Sequence, residues 1–361
     1  PMSSIDLHSL LRIVSERDAS DLYLTTGAPP QIRVDGTVQN LPLPALQVGE
    51  VRAMAYSAMG PQGTAEFERN LECNMSYAPP GIGRFRVNIY QQRHEIGLVA
   101  RAIHSNIPTF DQLGLPTTVR DLALLPRGLV LVIGAAGSGK TTTLASMIDY
   151  RSRHQSGHIL TIEDPIEYLF SHGLSTVDQR EVGIDTHSFG DALRNAMRQA
   201  PDMIMVGEIR DRETMQQAIA YAETGHLCVT TLHAANAGQA IKRILNFFPE
   251  PAHKQLLMDL SLNLQAVVAQ RLLTGTQKRR VLATEVLLQS ARVSDLIQRG
   301  EVDQLRGSLE KTSDTGTHSF DQSLLDLYRR GLVDQEVALS NADSRTDLGL
   351  RMRLHSSHDP H

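Results

Sequence analysis

Lys140 and Thr141 close the run Gly134-Ala135-Ala136-Gly137-Ser138-Gly139, and together they fit the pattern G-x-x-x-x-G-K-[ST]. Those residue types suit one task, holding a chain of phosphates. Gly134, Gly137 and Gly139 let the backbone curl, so that the N–H groups from Gly134 to Thr142 point inward at phosphate oxygens. The helix that follows adds positive potential at its N-terminus. Lys140 is expected to reach the β- and γ-phosphates, and the Thr141 hydroxyl to ligate Mg²⁺. The cofactor pair expected is therefore ATP with Mg²⁺.

Binding is not hydrolysis, and three further clusters supply candidates for the chemistry. Thr161-Ile-Glu163-Asp164-Pro165-Ile-Glu167 follows a predicted strand. Crowding Glu163, Asp164 and Glu167 there is unfavourable unless Mg²⁺ or a polarised water takes up their charge; a helix-capping acidic turn is the plainer alternative. Met203-Ile-Met-Val206-Gly207-Glu208 is an apolar strand that ends in an acid, with glycine where the magnesium-binding acid usually stands. Glu208 is expected to polarise the attacking water as general base, or to hold Mg²⁺ through a water; the alternative is a surface glutamate after a core strand. His226 and His233 bracket another predicted strand. His233 at its exit would face the nucleotide crevice and sense the γ-phosphate, and a core histidine is the alternative for each.

These groups need a scaffold, and the pattern supplies one. Apolar runs and helical periodicities alternate: strand 129–133, helix 140–154, strand 158–162, helix 188–199, strand 203–207, helix 212–223, strand 227–231, helix 237–246. That order predicts a doubly wound, mostly parallel α/β sheet with the nucleotide at the strand C-terminal ends. Strands near 266–272 and 280–288 and amphipathic helices to about 330 follow. Ahead of this block, helix 4–16, a strand at 19–24, a type I′ hairpin turn at Asp35-Gly36, helix 48–69 and strands at 71–77, 84–92 and 95–103 make an α+β domain. The domain boundaries expected are 1–105, a proline-containing linker 106–127, the P-loop domain 128–288, C-terminal helices 289–341, and a polar tail 342–361 without fixed structure. Arg84, Arg86, Arg93 and Arg101 crowd the N-terminal strands. They read either as a solvated face or as cations for phosphate on a neighbouring domain or subunit.

The bulk composition narrows the class. The 361 residues are 41% hydrophobic and 21% charged, the profile of an ordinary globular chain. No apolar run reaches membrane-spanning length, and no signal pattern opens the chain, so a cytoplasmic protein without membrane insertion is expected. Met2 reads as the native start. A net charge of −5 weighs against a nucleic-acid partner. The two cysteines, Cys73 and Cys228, form neither a C-x-x-C pair nor a disulfide framework. His355, His358 and His361 are candidates for a metal site, but they read better as a solvated terminus.

Taken together, GAAGSGKT, TIEDPIE, MIMVGE and AETGH…TTLH resemble the Walker A, Asp box, atypical Walker B and His box of the type II/IV secretion ATPase superfamily. The missing tetracysteine module and the compact layout look like its type IV pilus retraction motors, the PilT/PilU family. Gln199-Ala-Pro-Asp202 and Ser290-Ala-Arg-Val-Ser-Asp-Leu-Ile297 are similar to the PilU branch. The resemblance implies a PAS-like N-terminal α+β domain, a RecA-like P-loop ATPase domain with a C-terminal helical extension, and a homohexameric ring. It also implies Arg86 and Arg101 as the N-terminal arginines that reach nucleotide phosphates. The activity implied is Mg-ATP hydrolysis that drives pilus retraction and twitching motility. The site implied is the inner face of the inner membrane, with a platform protein and a PilT-type ATPase as partners. An assembly or secretion ATPase, a ring helicase or DNA translocase, and a non-hydrolysing regulatory ring are the rival readings.

Overall fold

The structure, a computed structural model, describes residues 5–310 and 316–356. Its contacts fall into two units, residues 1–105 with 167–169, and residues 106–166 with 170–361.

The first unit is a six-stranded antiparallel sheet with two helices. Its strands are β1 (Asp21–Leu24), β2 (Gln31–Val34), β3 (Thr37–Asn40), β4 (Glu72–Tyr77), β5 (Phe85–Gln92) and β6 (Glu95–Ala102), in the order β3-β2-β1-β6-β5-β4. The helix Leu7–Glu16 starts where the Asp6 carboxylate accepts the Ser9 N–H, and it buries Leu7, Leu10, Leu11 and Val14. Asp35 and Gly36 both take positive φ, 48° and 79°, the geometry that a type I′ turn requires. The helix Glu50–Asn70 breaks at Gly60, whose φ of 64° is non-helical, just ahead of Pro61. Alternate residues of β5, Phe85, Val87 and Ile89, join these helices in one core.

The second unit is a seven-stranded sheet: β7 (Gly128–Gly134), β8 (Gly157–Glu163), β9 (Ser175–Glu181), β10 (Met203–Val206), β11 (Leu227–Leu232), β12 (Leu264–Thr274) and β13 (Arg280–Leu288). The order is β13-β12-β7-β11-β10-β8-β9, all parallel except β13. Strand β7 is buried along its whole length, as a strand covered on both faces must be. Leu129, Leu131 and Ile133 point to a core shared with the helices Arg212–Glu223 and Ala237–Asn246. Val130 and Val132 point the other way, to Leu144, Met147 and Ile148 of the helix Lys140–His154.

Three expectations change here. Residues 106–127 are not a bare linker: the helices Phe110–Leu113 and Thr117–Ala123 bury Phe110, Val119, Leu122 and Ala123 against the sheet. Segment 342–361 is not structureless where it is described. The helix Arg345–Ser356 buries Leu348 and Met352, an i, i+4 pair too sparse to stand out among polar neighbours. The side chains of His355, His358 and His361 lie outside the described residues. Edge strand β9 went unpredicted because Val177 is its only apolar residue.

Glu285 on β13 is 3% exposed, and its Oε2 has no hydrogen-bond partner. Burial, with Asp343 adding, pushes its pKa up to about 7, against the Ala237 amide, Arg271 and Arg306. A carboxyl with a raised folded-state pKa stabilises the fold fully below its unfolded value of 4.5, and that contribution is lost as pH rises through about 7. Glu285→Gln should therefore gain on wild type by roughly 2–3 kcal/mol between pH 5 and pH 8. Urea midpoints at the two pH values check this, and a pH-independent difference would refute it.

Candidate active site

The loop after β7 is shaped by what surrounds it. Gly134 lies at φ 155°, and a Cβ there would stand 2.3 Å from the Ser138 Oγ and 2.8 Å from the Gln270 carbonyl. Gly137 and Gly139 lie at φ 76° and 88°, the left-handed region that favours glycine. Gly139 is the N-cap of the helix Lys140–His154, so the loop ends on a helix N-terminus. Ala135, Ala136 and Gly137 are exposed, Gly139, Thr141 and Thr142 are half-buried, and Ser138 is buried. A cleft of about 250 Å³ opens along Gly134–Ser138 and is closed by Ala235, Gln270, Arg271 and Leu272.

Lys140 is only 9% exposed. Its Nζ donates to the carbonyls of Gly134 (2.8 Å) and Ala135 (2.9 Å) and lies 3.3 Å from His233 Nδ1. Burial pulls its pKa below the usual lysine value, and the Glu208 charge opposes that shift. An ammonium can only donate, so His233 Nδ1 accepts and the proton sits on Nε2. His233 Nε2 then donates to Glu208 Oε1 at 2.9 Å. The other Glu208 oxygen accepts from Arg210 Nε at 2.8 Å, and Arg210 Nη1 stands 3.7 Å from Asp164 Oδ2. One continuous chain thus runs Lys140–His233–Glu208–Arg210–Asp164.

The parallel sheet explains the assembly. Val206, Ile162 and Thr230 are in register on β10, β8 and β11, so Glu208, Asp164 and His233 leave the same edge. Gly207 fits closely: a Cβ there would touch the Glu163 Cα at 3.4 Å. Glu163 itself points inward. It is 4% exposed and accepts from the Thr161 hydroxyl (2.7 Å) and the Gln179 amide (3.1 Å), which makes it an anchor between β8 and β9.

Not every expected residue arrives. Glu167 falls in the first unit, where its carbonyl accepts from the His104 amide at 3.3 Å. His226 precedes β11 at the opposite end from His233 and bonds locally, near Thr224 Oγ1 and the Tyr221 carbonyl. It is therefore not part of its own chain's P-loop site. In the first unit Arg86 and Arg101 face each other across β5 and β6, and Arg101 pairs with the buried Asp21 at 2.9 Å. Arg210, Gln270 and Arg271 were missed. Arg210 carried a signal, a cation two residues after the catalytic-type glutamate, whereas the two β12 residues lie far from any motif.

A model of the type II/IV secretion system protein family matches residues 8–320. The chain belongs to that family. It is 48% identical to the type IV pilus ATPase PilU of Pseudomonas aeruginosa, over 98% of this chain and 93% of that protein. The type IV pilus retraction ATPase PilT of the same organism is 40% identical, over 94% of this chain and 98% of its own length. The crystal structure of the pilus retraction motor PilT with bound ADP matches at a TM-score of 0.88 and 41% identity, covering 96% of this chain and 99% of that one. Within the family the chain is a member of the PilT/PilU group. Its Walker A lysine, Glu208 and His233 form one connected site.

His233 is the only histidine that the structure brings to Lys140 among the described residues. His233→Ala should lower kcat by about 10–10² by freeing one side of Glu208, and it should change nucleotide affinity less. Steady-state kinetics separate the two, and an effect confined to KM would assign His233 to binding alone.

Proposed function

We propose that this chain is a Mg-ATP-hydrolysing motor of type IV pilus retraction and twitching motility. The observation that carries the reading is the unbroken chain from the P-loop ammonium to an oriented carboxylate, Lys140–His233–Glu208. Lys140 exchanges loop carbonyls for phosphate oxygens. Glu208 is 21% exposed at its side chain and can reach solvent water, which the buried Glu163 cannot. Glu208 is therefore the general base, and His233 and Arg210 fix the orientation of its two oxygens.

Among the described residues no three His, Cys, Asp or Glu side chains gather as a metal cage. A magnesium ion that arrives on phosphates needs only one or two hard protein oxygens. The half-buried Thr141 hydroxyl at the helix start would hold it, with Glu208 second through a water. The ion would supply charge neutralisation on the β- and γ-phosphates.

The working assembly is a homohexamer on the cytoplasmic face of the inner membrane, docked on a platform protein and acting with a PilT-type ATPase. No described helix is long and apolar enough to cross a membrane. The N-terminal domain over residues 1–105 is PAS-like and packs on a neighbour's RecA-like domain. There Arg86 and Arg101 supply cations to bound nucleotide. ATP favours one arrangement of the domains, and hydrolysis reverses the bias.

Steady-state ATPase activity with Mg²⁺, alone and with a PilT-type partner, tests the reading. Lys140→Ala should abolish turnover. Glu208→Ala should still bind ATP but hydrolyse it slower by a factor on the order of 10² or more. Turnover unchanged in Lys140→Ala would sink the site, and near-normal hydrolysis in Glu208→Ala would move the base elsewhere. Turnover only with the partner present would make this chain the accessory ring of the pair.

A further inference from the structure

Two adjacent residues near the loop end of β12 point to opposite faces, as successive strand residues must. Gln270 is 2% exposed, lies opposite Gly134 in the β7 register, and donates its Nε2 to the Ser138 carbonyl at 3.1 Å. The clasp is incomplete: Gln270 Oε1 and the Ser138 Oγ are both buried without a hydrogen-bond partner. A buried amide oxygen left unpaired is unfavourable, so the loop gains by any rearrangement that pairs it.

Arg271 holds something else. Its Nη1 donates to the Asn341 carbonyl at 2.7 Å and its Nη2 to Asp343 Oδ1 at 2.8 Å. Its guanidinium lies 3.8 Å from the centroid of the buried Phe320 ring. The grip extends further, because the amides of Asp343 and Ser344 donate to the Asp321 carboxylate at 2.8 and 3.0 Å. Ser344 in turn starts the helix Arg345–Ser356: its carbonyl accepts from the Leu348 N–H and its hydroxyl from the Asp347 N–H. Gln270 and Arg271 both line the P-loop cleft.

We propose that the pair Gln270–Arg271 is the mechanical link between nucleotide at the P-loop and the C-terminal helices. Gln270 grips the loop at Ser138, and Arg271 grips residues 341–343. Strand β12 is paired with β7 as far as Gln270 and with β13 through Thr274, so Gln270 and Arg271 sit on one strand that β13 backs past both of them. A two-armed guanidinium that is also stacked on a ring cannot follow a movement of that strand without carrying its partners. The inference rests on the reading that this loop binds nucleotide, and its test keeps the two apart.

The measurement is hydrogen exchange on the full-length assembly, with and without ADP. ADP should slow exchange in peptides covering 134–141 and change exchange in 341–348 by about 3-fold or more. Asp343→Ala lies away from the phosphate loop. It should keep the response at 134–141 and cut the response at 341–348 to under about a third. Arg271→Lys retains charge but lacks the fork, and it should uncouple the same segment. No response at 134–141 would overturn the nucleotide reading itself. A loop response with a silent 341–348 in wild type, or with an undiminished response there in both variants, would overturn only the link.

Discussion

A buried ammonium organises this molecule. Lys140 is enclosed almost completely, and an unpaired charge in that position would be strongly disfavoured. What keeps it charged is a set of acceptors that converge from separate parts of the chain: two carbonyls of its own loop and the ring nitrogen of His233, backed by the Glu208 charge. The loop carbonyls turn inward because Gly137 and Gly139 allow left-handed backbone, and the tight packing at Gly134 excludes any side chain. The histidine is in place because β11 runs beside β7 in parallel register. Loosening either would strip the cation of part of its compensation, so loop shape, strand order and lysine charge depend on one another.

The same dependence carries the chemistry outward. With the lysine ammonium on Nδ1, His233 turns Nε2 toward Glu208. Arg210 then holds the second carboxylate oxygen, and Asp164 offsets part of the arginine charge. The two glutamates at the strand ends have parted roles. Glu163 is sunk against Thr161 and Gln179 and ties the β8 edge to β9, whereas Glu208 stays partly open. Two carboxylates at neighbouring strand ends thus differ in burial and in partners, one an anchor between strands and the other open to solvent.

How far the sequence could be read follows from how local each signal is. The P-loop, the I′ turn at Asp35-Gly36 and the alternation of strands and helices are short-range patterns, and all appear in the structure. Strand β9 and the helix Arg345–Ser356 draw their stability from neighbours rather than from their own pattern, with one and two apolar anchors respectively. The 106–127 segment was masked by its prolines, although Thr109 and Gln112 form a capping box there. His226 and His233 look equivalent in sequence because both flank β11. Only the direction of the strand decides which one meets the lysine. Gln270 and Arg271 had no local signal at all, since the side-chain hydrogen bonds that place them span 132 residues for Gln270 and Ser138 and 72 for Arg271 and Asp343.

The geometry also fits the proposed role of Glu208 in hydrolysis better than a role in holding nucleotide alone. Holding phosphates needs the glycine loop, the helix N-terminus and a lysine, and nothing in that task requires a carboxylate pinned through both oxygens. A glutamate kept merely for charge balance would do as well pointing at solvent. Here one Glu208 oxygen is fixed by His233 and the other by Arg210, and both of those groups are themselves tied, to Lys140 and to Asp164. Such restraint lowers side-chain freedom and gives the carboxylate one direction, which is what the proposed turning of a water toward phosphorus requires.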